Sequence, residues 1–149
     1  MIQRIQSIFL LLAAAALGSQ FALPYGQTTA DNPARSLPAL ADGAFNPLDN
    51  IGLLGLTTLG ALLALITIFL YKNRMLQARL AGLGVLVTIL LLVLVGISSK
   101  TTLDQLPEGG SMQLSAGLAL PVVALLFNWL AGRAIRKDEA LVRSMDRLR

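Results

Sequence analysis

Residues 80–98 read LAGLGVLVTILLLVLVGIS, an apolar run that contains no charged side chain. A helix rises about 1.5 Å per residue, so a run of this length covers most of a bilayer core about 30 Å thick. Because the apolar residues are continuous and do not alternate, a helix is favoured over a strand of a membrane barrel. This stretch therefore predicts a helix that crosses a membrane.

The rest of the chain has the same character. Of its 149 residues 55% are hydrophobic and 13% charged, whereas soluble domains carry roughly 25% charged residues. We therefore predict an all-α fold: a four-helix transmembrane bundle over residues 1–134, followed by a cytoplasmic amphipathic helix over the charged tail 135–149. The four predicted spans are residues 5–23, 48–71, 80–98 and 112–134.

Basic residues are distributed unevenly over the gaps between these spans. One precedes the first span, three separate the second from the third, and six lie at the end of the fourth or beyond it, whereas the other two gaps hold only Arg35 and Lys100. An excess of Lys and Arg marks cytoplasmic segments. We predict a multi-pass protein of a bacterial inner membrane with both termini in the cytoplasm. Tyr71 and Trp129 should lie at the inner interface and Tyr25 at the outer one.

The first span has a second interpretation. Arg4 precedes an apolar run that ends near the small residues Gly18 and Ser19, as in a cleaved secretory signal peptide. The run continues to Leu23, which is long for such a signal. Retention as a membrane span is the favoured prediction.

The outer loop, residues 24–47, contains four of the six prolines. Proline lacks a backbone donor, so we predict little regular structure there, either as a solvated tether or as a partner-binding surface. Asn46, Pro47 and Asp49 form a typical helix start for the second span. The second outer loop should turn at Gly109-Gly110, and the short inner loop predicts an antiparallel hairpin of spans two and three.

The tail has mixed charge and an apolar face formed by Leu141, Val142, Met145 and Leu148. It is predicted to continue span four as a helix that lies on the membrane, packs under the bundle or binds a soluble partner. Three acids interrupt its positive charge, which attraction to lipid alone would not require. The candidate partner or lipid contacts are Arg133, Arg136, Lys137, Asp138, Glu139, Arg143, Asp146, Arg147 and Arg149.

No chemical signature accompanies this architecture. The chain has no Cys and no His, which excludes thiol catalysis, zinc fingers and Ser-His-Asp triads. A transporter normally requires an ionisable side chain inside the membrane, and no span has one in its centre. Asn128 is predicted to make an interhelical polar contact, and Pro121 a modest kink opposite Gly117. We predict no enzyme, cofactor, metal or nucleic-acid site.

The two ends of the chain resemble a known family. The start MIQRIQSIFLLLAA and the final stretch RAIRKDEALVRSMDRLR at residues 133–149 are similar to the family of small bacterial inner-membrane proteins with the domain of unknown function 4293. The resemblance implies a four-helix membrane protein with an uncleaved first span. It supplies no reaction and no partner.

The resulting expectation is a non-enzymatic accessory or assembly subunit of a larger membrane complex, in contact with membrane lipid and with a protein partner. The alternative is a small transporter or channel that oligomerises to form a path.

Overall fold

The computed structural model describes the backbone of residues 2–146 and the side chains of that range except those at positions 2–4, 143, 145 and 146. Within this range the chain forms four α-helices, which confirms the predicted helical class. Helix α1 packs on α2 and α4, and α3 packs on the same two helices, so the four form a bundle. The helices are α1 (Ile2–Ser19), α2 (Ile51–Phe69), α3 (Arg74–Asp104) and α4 (Leu120–Asp146).

Neighbouring helices run antiparallel. Only four residues, 70–73, connect α2 to α3, as predicted for a hairpin. Among the described residues three segments are long and apolar enough to cross a membrane, namely Ile51–Phe69, Arg74–Asp104 and Ala116–Val142. The first helix contributes a shorter apolar segment, Ile5–Ser19.

The predicted start of the second helix is displaced by four residues. Asn46 and Asp49 form the expected capping box, but it caps a 3-10 turn over Pro47–Asp49. Helix α2 begins later, at Ile51, where the Asn50 side chain accepts from the backbone N–H groups of Gly52 and Leu53. Two successive Asn caps therefore bring the chain into α2.

The predicted start of the fourth helix at residue 112 and its kink at Pro121 are both wrong. Residues Gln113–Leu114 form a strand, and Ala116–Ala119 form a 3-10 turn. Helix α4 begins at Leu120, so Pro121 lies in the first turn, where its missing N–H has no helical partner to lose.

The predicted lack of regular structure in the loop 24–47 is also wrong. This loop contributes β1 (Gly26–Gln27) and β2 (Ala44–Phe45), and β3 (Gln113–Leu114) completes an antiparallel sheet in the order β2-β1-β3. Three of the four prolines of this loop, Pro33, Pro38 and Pro47, start 3-10 turns outside the strands, where no ladder donor is needed. We call this folded part, residues 20–50 and 105–119, the cap.

The cap has an apolar core that continues into the bundle. Tyr25 and Phe45 are almost fully buried, with ring centroids 5.7 Å apart. They belong to the same buried cluster as Leu53 of α2 and Leu91 of α3. Tyr25 is therefore a core residue and not the interfacial aromatic predicted from the sequence, whereas Tyr71 and Trp129 are exposed.

Polar contacts fasten the two segments of the cap to each other. The Asn32 side chain donates to Ser111 Oγ at 2.8 Å and accepts from the Ser111 N–H at 3.1 Å. The predicted Gly-Gly turn is present: the Gly110 N–H donates to Pro107 O at 2.8 Å, and Gly109 has φ +77°, which glycine tolerates best. Gly117 lies so close to the carbonyl groups of Leu23 and Pro24 that no Cβ would fit there.

Candidate functional site

The strongest candidate site is the end of the bundle opposite the cap, which we call the tail end. It contains the α2–α3 turn and the last turns of α4. Helix α4 passes through residue 134 without a break and continues to Asp146. The predicted tail is therefore helical as far as the structure describes it.

The first turn of the tail is packed into the bundle. Ile135 is 1% exposed and lies in a buried cluster with Leu10 of α1 and Ala81 of α3. Nearby, the fully buried Gln6 donates from Nε2 to the backbone carbonyl of Ala134 at 3.2 Å. Apolar packing and a hydrogen bond thus fix the direction in which α4 leaves the bundle.

An ion pair fixes the next turn. Arg74 Nη1 at the start of α3 lies 2.9 Å from Asp138 Oδ2, without the alignment of a hydrogen bond. Both side chains are partly exposed, and such pairs contribute roughly 0.2–1 kcal/mol. The pair therefore defines the position of α4 against α3 more than it stabilises the fold.

The basic residues that precede and flank this ion pair face away from the bundle. Arg133, Arg136 and Lys137 are exposed. The Arg133 guanidinium lies over the ring of Trp129, 5.7 Å from its centroid. Arg136 Nη2 reaches back by one turn to 3.8 Å from the position that a Cβ would take on Gly132.

The structure describes the remaining candidate residues of the tail only in part. Glu139 is half-buried and engaged in an interaction, and Leu141 is 45% exposed. The side chains of Arg143 and Asp146, and the whole of Arg147 and Arg149, lie outside the described residues. The structure thus brings Asp138 to Arg74 and leaves Arg133, Arg136 and Lys137 on the surface.

Asn128 lies in the middle of the bundle and is 1% exposed. Its Nδ2 donates to Thr88 Oγ1 on α3 at 3.0 Å, while the Thr88 hydroxyl donates to Gly84 O at 2.7 Å. This chain of hydrogen bonds satisfies a polar group that would otherwise be buried at a cost. Its arrangement is that of an interhelical contact.

Two buried glutamines at the tail end were not predicted as functional residues. Gln6 contacts α4, and Gln77 donates to Thr67 O of α2 at 3.1 Å. Each lies near the start of its helix. An amide side chain close to the end of an apolar helix predicts such a contact only weakly, because a Gln at that position can equally well face the solvent.

The cap offers a second, smaller feature. A shallow cavity of about 120 Å³ is lined by uncharged polar residues. Within the part of the chain that the structure describes, no group of three or more Asp and Glu side chains is arranged to hold a metal ion. The cavity is lined by Gln27, Thr28, Thr29, Ser111 and Gln113.

Tyr25 gives the cap a pH dependence. Its hydroxyl donates to Gln20 Oε1 at 2.5 Å, and burial raises the pKa of Tyr25 to about 12, although the nearby Thr57 hydroxyl lowers it in part. The ordinary pKa of Tyr is about 10. Since the fold favours the protonated phenol, Tyr25 stabilises the cap fully below pH about 10, and this contribution is lost as the pH rises through about 12.

We predict that this shift is measurable in a Tyr71→Phe variant, in which Tyr25 is the only tyrosine. Ultraviolet absorbance of the phenolate should show a midpoint near pH 12 in detergent. The same variant unfolded in denaturant should titrate near pH 10, the ordinary value of about 10 for an exposed Tyr. A midpoint near the ordinary value in the folded protein would show that the phenol is open to water.

A family model described as "Domain of unknown function (DUF4293)" covers residues 2–148. Comparison with curated proteins and with solved structures gives no significant match.

Proposed function

The chain belongs to the DUF4293 family, a domain of unknown function, and we propose that it is a non-enzymatic accessory or assembly subunit of a larger bacterial membrane complex. In this proposal all four helices cross the inner membrane and both termini lie in the cytoplasm. The tail of α4 holds the partner.

Membrane placement is supported by the apolar side chains on the outside of the bundle. Every helix carries large hydrophobic residues that are at least half exposed, for example Leu11, Leu62, Leu86 and Leu126 at 50–57%. Monomeric soluble proteins rarely expose continuous apolar surfaces of this kind. Lipid is the solvent that would cover them.

The first helix is the span that needs most argument. An 18-residue helix rises about 27 Å, slightly less than the core of about 30 Å. The turn that follows adds exposed Phe21 and Leu23, which extend the apolar length. Packing of α1 on both α2 and α4 favours retention over cleavage.

Orientation is proposed from charge. The tail end carries the exposed Lys72, Arg79, Arg133, Arg136 and Lys137, and basic segments stay in the cytoplasm. We expect reporter fusions at residues 78 and 149 to report the cytoplasm and one at residue 42 to report the outside. A C-terminus outside the cell would contradict the proposed orientation.

The observation that carries the partner hypothesis is the projection of α4. Asp138 pairs with Arg74, the first residue of α3. Residues 139–146 therefore extend beyond the start of α3, by about 12 Å at 1.5 Å per residue. The exposed Leu141 on this projection has no core to enter, and an apolar side chain in this position is suited to contact another protein.

Transport is less well supported. Asn128, the only Asn, Gln or charged residue between 120 and 132, is already engaged by Thr88. No other feature of the described residues favours a solute path over a scaffold.

The test is co-purification in mild detergent, followed by mass spectrometry. We expect the full chain to recover a partner at fixed stoichiometry, and a chain truncated after Arg136 or carrying Leu141→Glu to lose it. Ser144→Glu adds the same charge on the same exposed segment without removing an apolar side chain, and it should retain the partner. Recovery of the protein alone, or a partner that survives both changes, would refute the proposal.

A further inference from the structure

Three cations form a patch on the exposed side of α4 near the tail end. Arg133, Arg136 and Lys137 are separated by three and four residues, so they share one side of the helix. Trp129 lies one turn before Arg133 on the same side, and the exposed Leu126 precedes it. We call Arg133, Arg136 and Lys137 the basic patch.

The charges of the patch are not neutralised within the described part of the chain. Of the two acids that follow the patch, Asp138 is paired with Arg74 and Glu139 is engaged in another interaction. Arg133 contacts the face of Trp129, and Arg136 bends back toward Gly132. Both guanidinium groups therefore reach back along α4, away from the tail.

The direction of the two guanidinium groups favours a negatively charged partner. A guanidinium drawn back over apolar helix surface has few water partners on that side, and its planar fork matches a phosphate in a two-point contact. Tryptophan is enriched at the level of lipid headgroups. A negatively charged group is thus expected beside Arg133 and Arg136, with apolar chains beside Trp129 and Leu126.

We propose that the basic patch binds the phosphate of an anionic phospholipid in the leaflet that faces the tail end. The phosphate lies between Arg133 and Arg136, Lys137 flanks it, and the acyl chains run along Trp129 and Leu126. The inference rests on the proposed crossing of the membrane by α4. It concerns a different surface from the projecting residue Leu141.

Trp129 provides the probe, because it is the only tryptophan of the chain. The pure full-length protein is reconstituted in phosphatidylcholine vesicles that contain either brominated phosphatidylglycerol or brominated phosphatidylcholine, and quenching of Trp129 fluorescence is compared. Each basic residue near a membrane surface favours an anionic lipid by roughly fivefold. We expect the anionic lipid to be enriched about five- to twentyfold at Trp129.

The test variant is Arg133→Gln with Arg136→Gln, and the enrichment should fall by at least about fivefold, since only Lys137 of the three cations remains. The control is Lys72→Gln with Arg79→Gln, which removes two exposed cations elsewhere at the tail end and should keep the enrichment. Added inorganic phosphate should not change the result.

Each other outcome contradicts the proposal. Equal quenching by the two lipids in the unchanged protein, or equal loss in the test and control variants, would overturn the site and leave the crossing of α4 intact. Loss of enrichment on addition of inorganic phosphate would assign the patch to a soluble anion. Quenching by neither lipid would overturn the membrane placement as well.

Discussion

Replacing Gly117 with alanine is expected to lower the free energy of unfolding by about 3 kcal/mol, the upper part of the usual range for overpacking. The added Cβ would collide with the carbonyl oxygens of Leu23 and Pro24. These are backbone atoms that cannot rotate away, unlike the flexible Met112 side chain beside Gly26. The segment that precedes α4 would then have to move away from the backbone of Leu23 and Pro24.

Thermal or denaturant unfolding of the purified protein in detergent measures this effect. Gly55→Ala is the matched control, because nothing lies within 4 Å of a Cβ at Gly55 and alanine favours a helix. The control should match or slightly exceed the stability of the unchanged protein. Similar stability of the two variants would mean that the two segments of the cap are packed more loosely on each other than the structure indicates.

Replacing Leu17 with alanine is expected to cost about 2 kcal/mol. Leu17 is fully buried, and its Cδ1 lies 3.1 Å from the position of a Cβ on Gly60 of α2. Leu→Ala changes in protein cores cost about 2–5 kcal/mol. In the proposed membrane placement the lower value applies, because lipid is as apolar as leucine and the change removes packing contacts without exposing the site to water.

The control for this change is Leu11→Ala on the same helix. Leu11 is 57% exposed and would face lipid, so its truncation should have an effect below about 0.5 kcal/mol. Equal effects at the two positions would contradict the packing of α1 on α2. A clear difference would show that α1 is a structural helix of the mature protein, as a cleaved signal peptide is not.

Sequence reasoning was most successful where a residue's role depends on its neighbours in the chain. The apolar run at residues 80–98 lies wholly within α3, and the turn at Gly109-Gly110 is present. It failed at Met112 and Leu114, since hydropathy alone does not distinguish the apolar residues of a small sheet from the start of an apolar helix. The prediction for Tyr25 was wrong because the burial of its side chain depends on Phe45, which is distant in the sequence.

In the candidate site, too, sequence reasoning succeeded with local features and failed with contacts between helices. The basic character of the tail was evident from the sequence, and so was its helical continuation. The pairing of Asp138 with Arg74 and the burial of Gln6 against Ala134 depend on the arrangement of the helices. No local pattern specifies which cation of a basic protein lies beside a given acid.

The order of the strands in the cap has a consequence for biosynthesis. The central strand β1 can pair with β2 as soon as the first loop emerges, but its other edge stays open until β3 follows α3. Open strand edges readily pair with foreign chains, and chains are made from the N-terminus. Gln113 and Leu114 close the sheet. They are synthesised only after the first three helices, so the edge of β1 stays unpaired until late in translation.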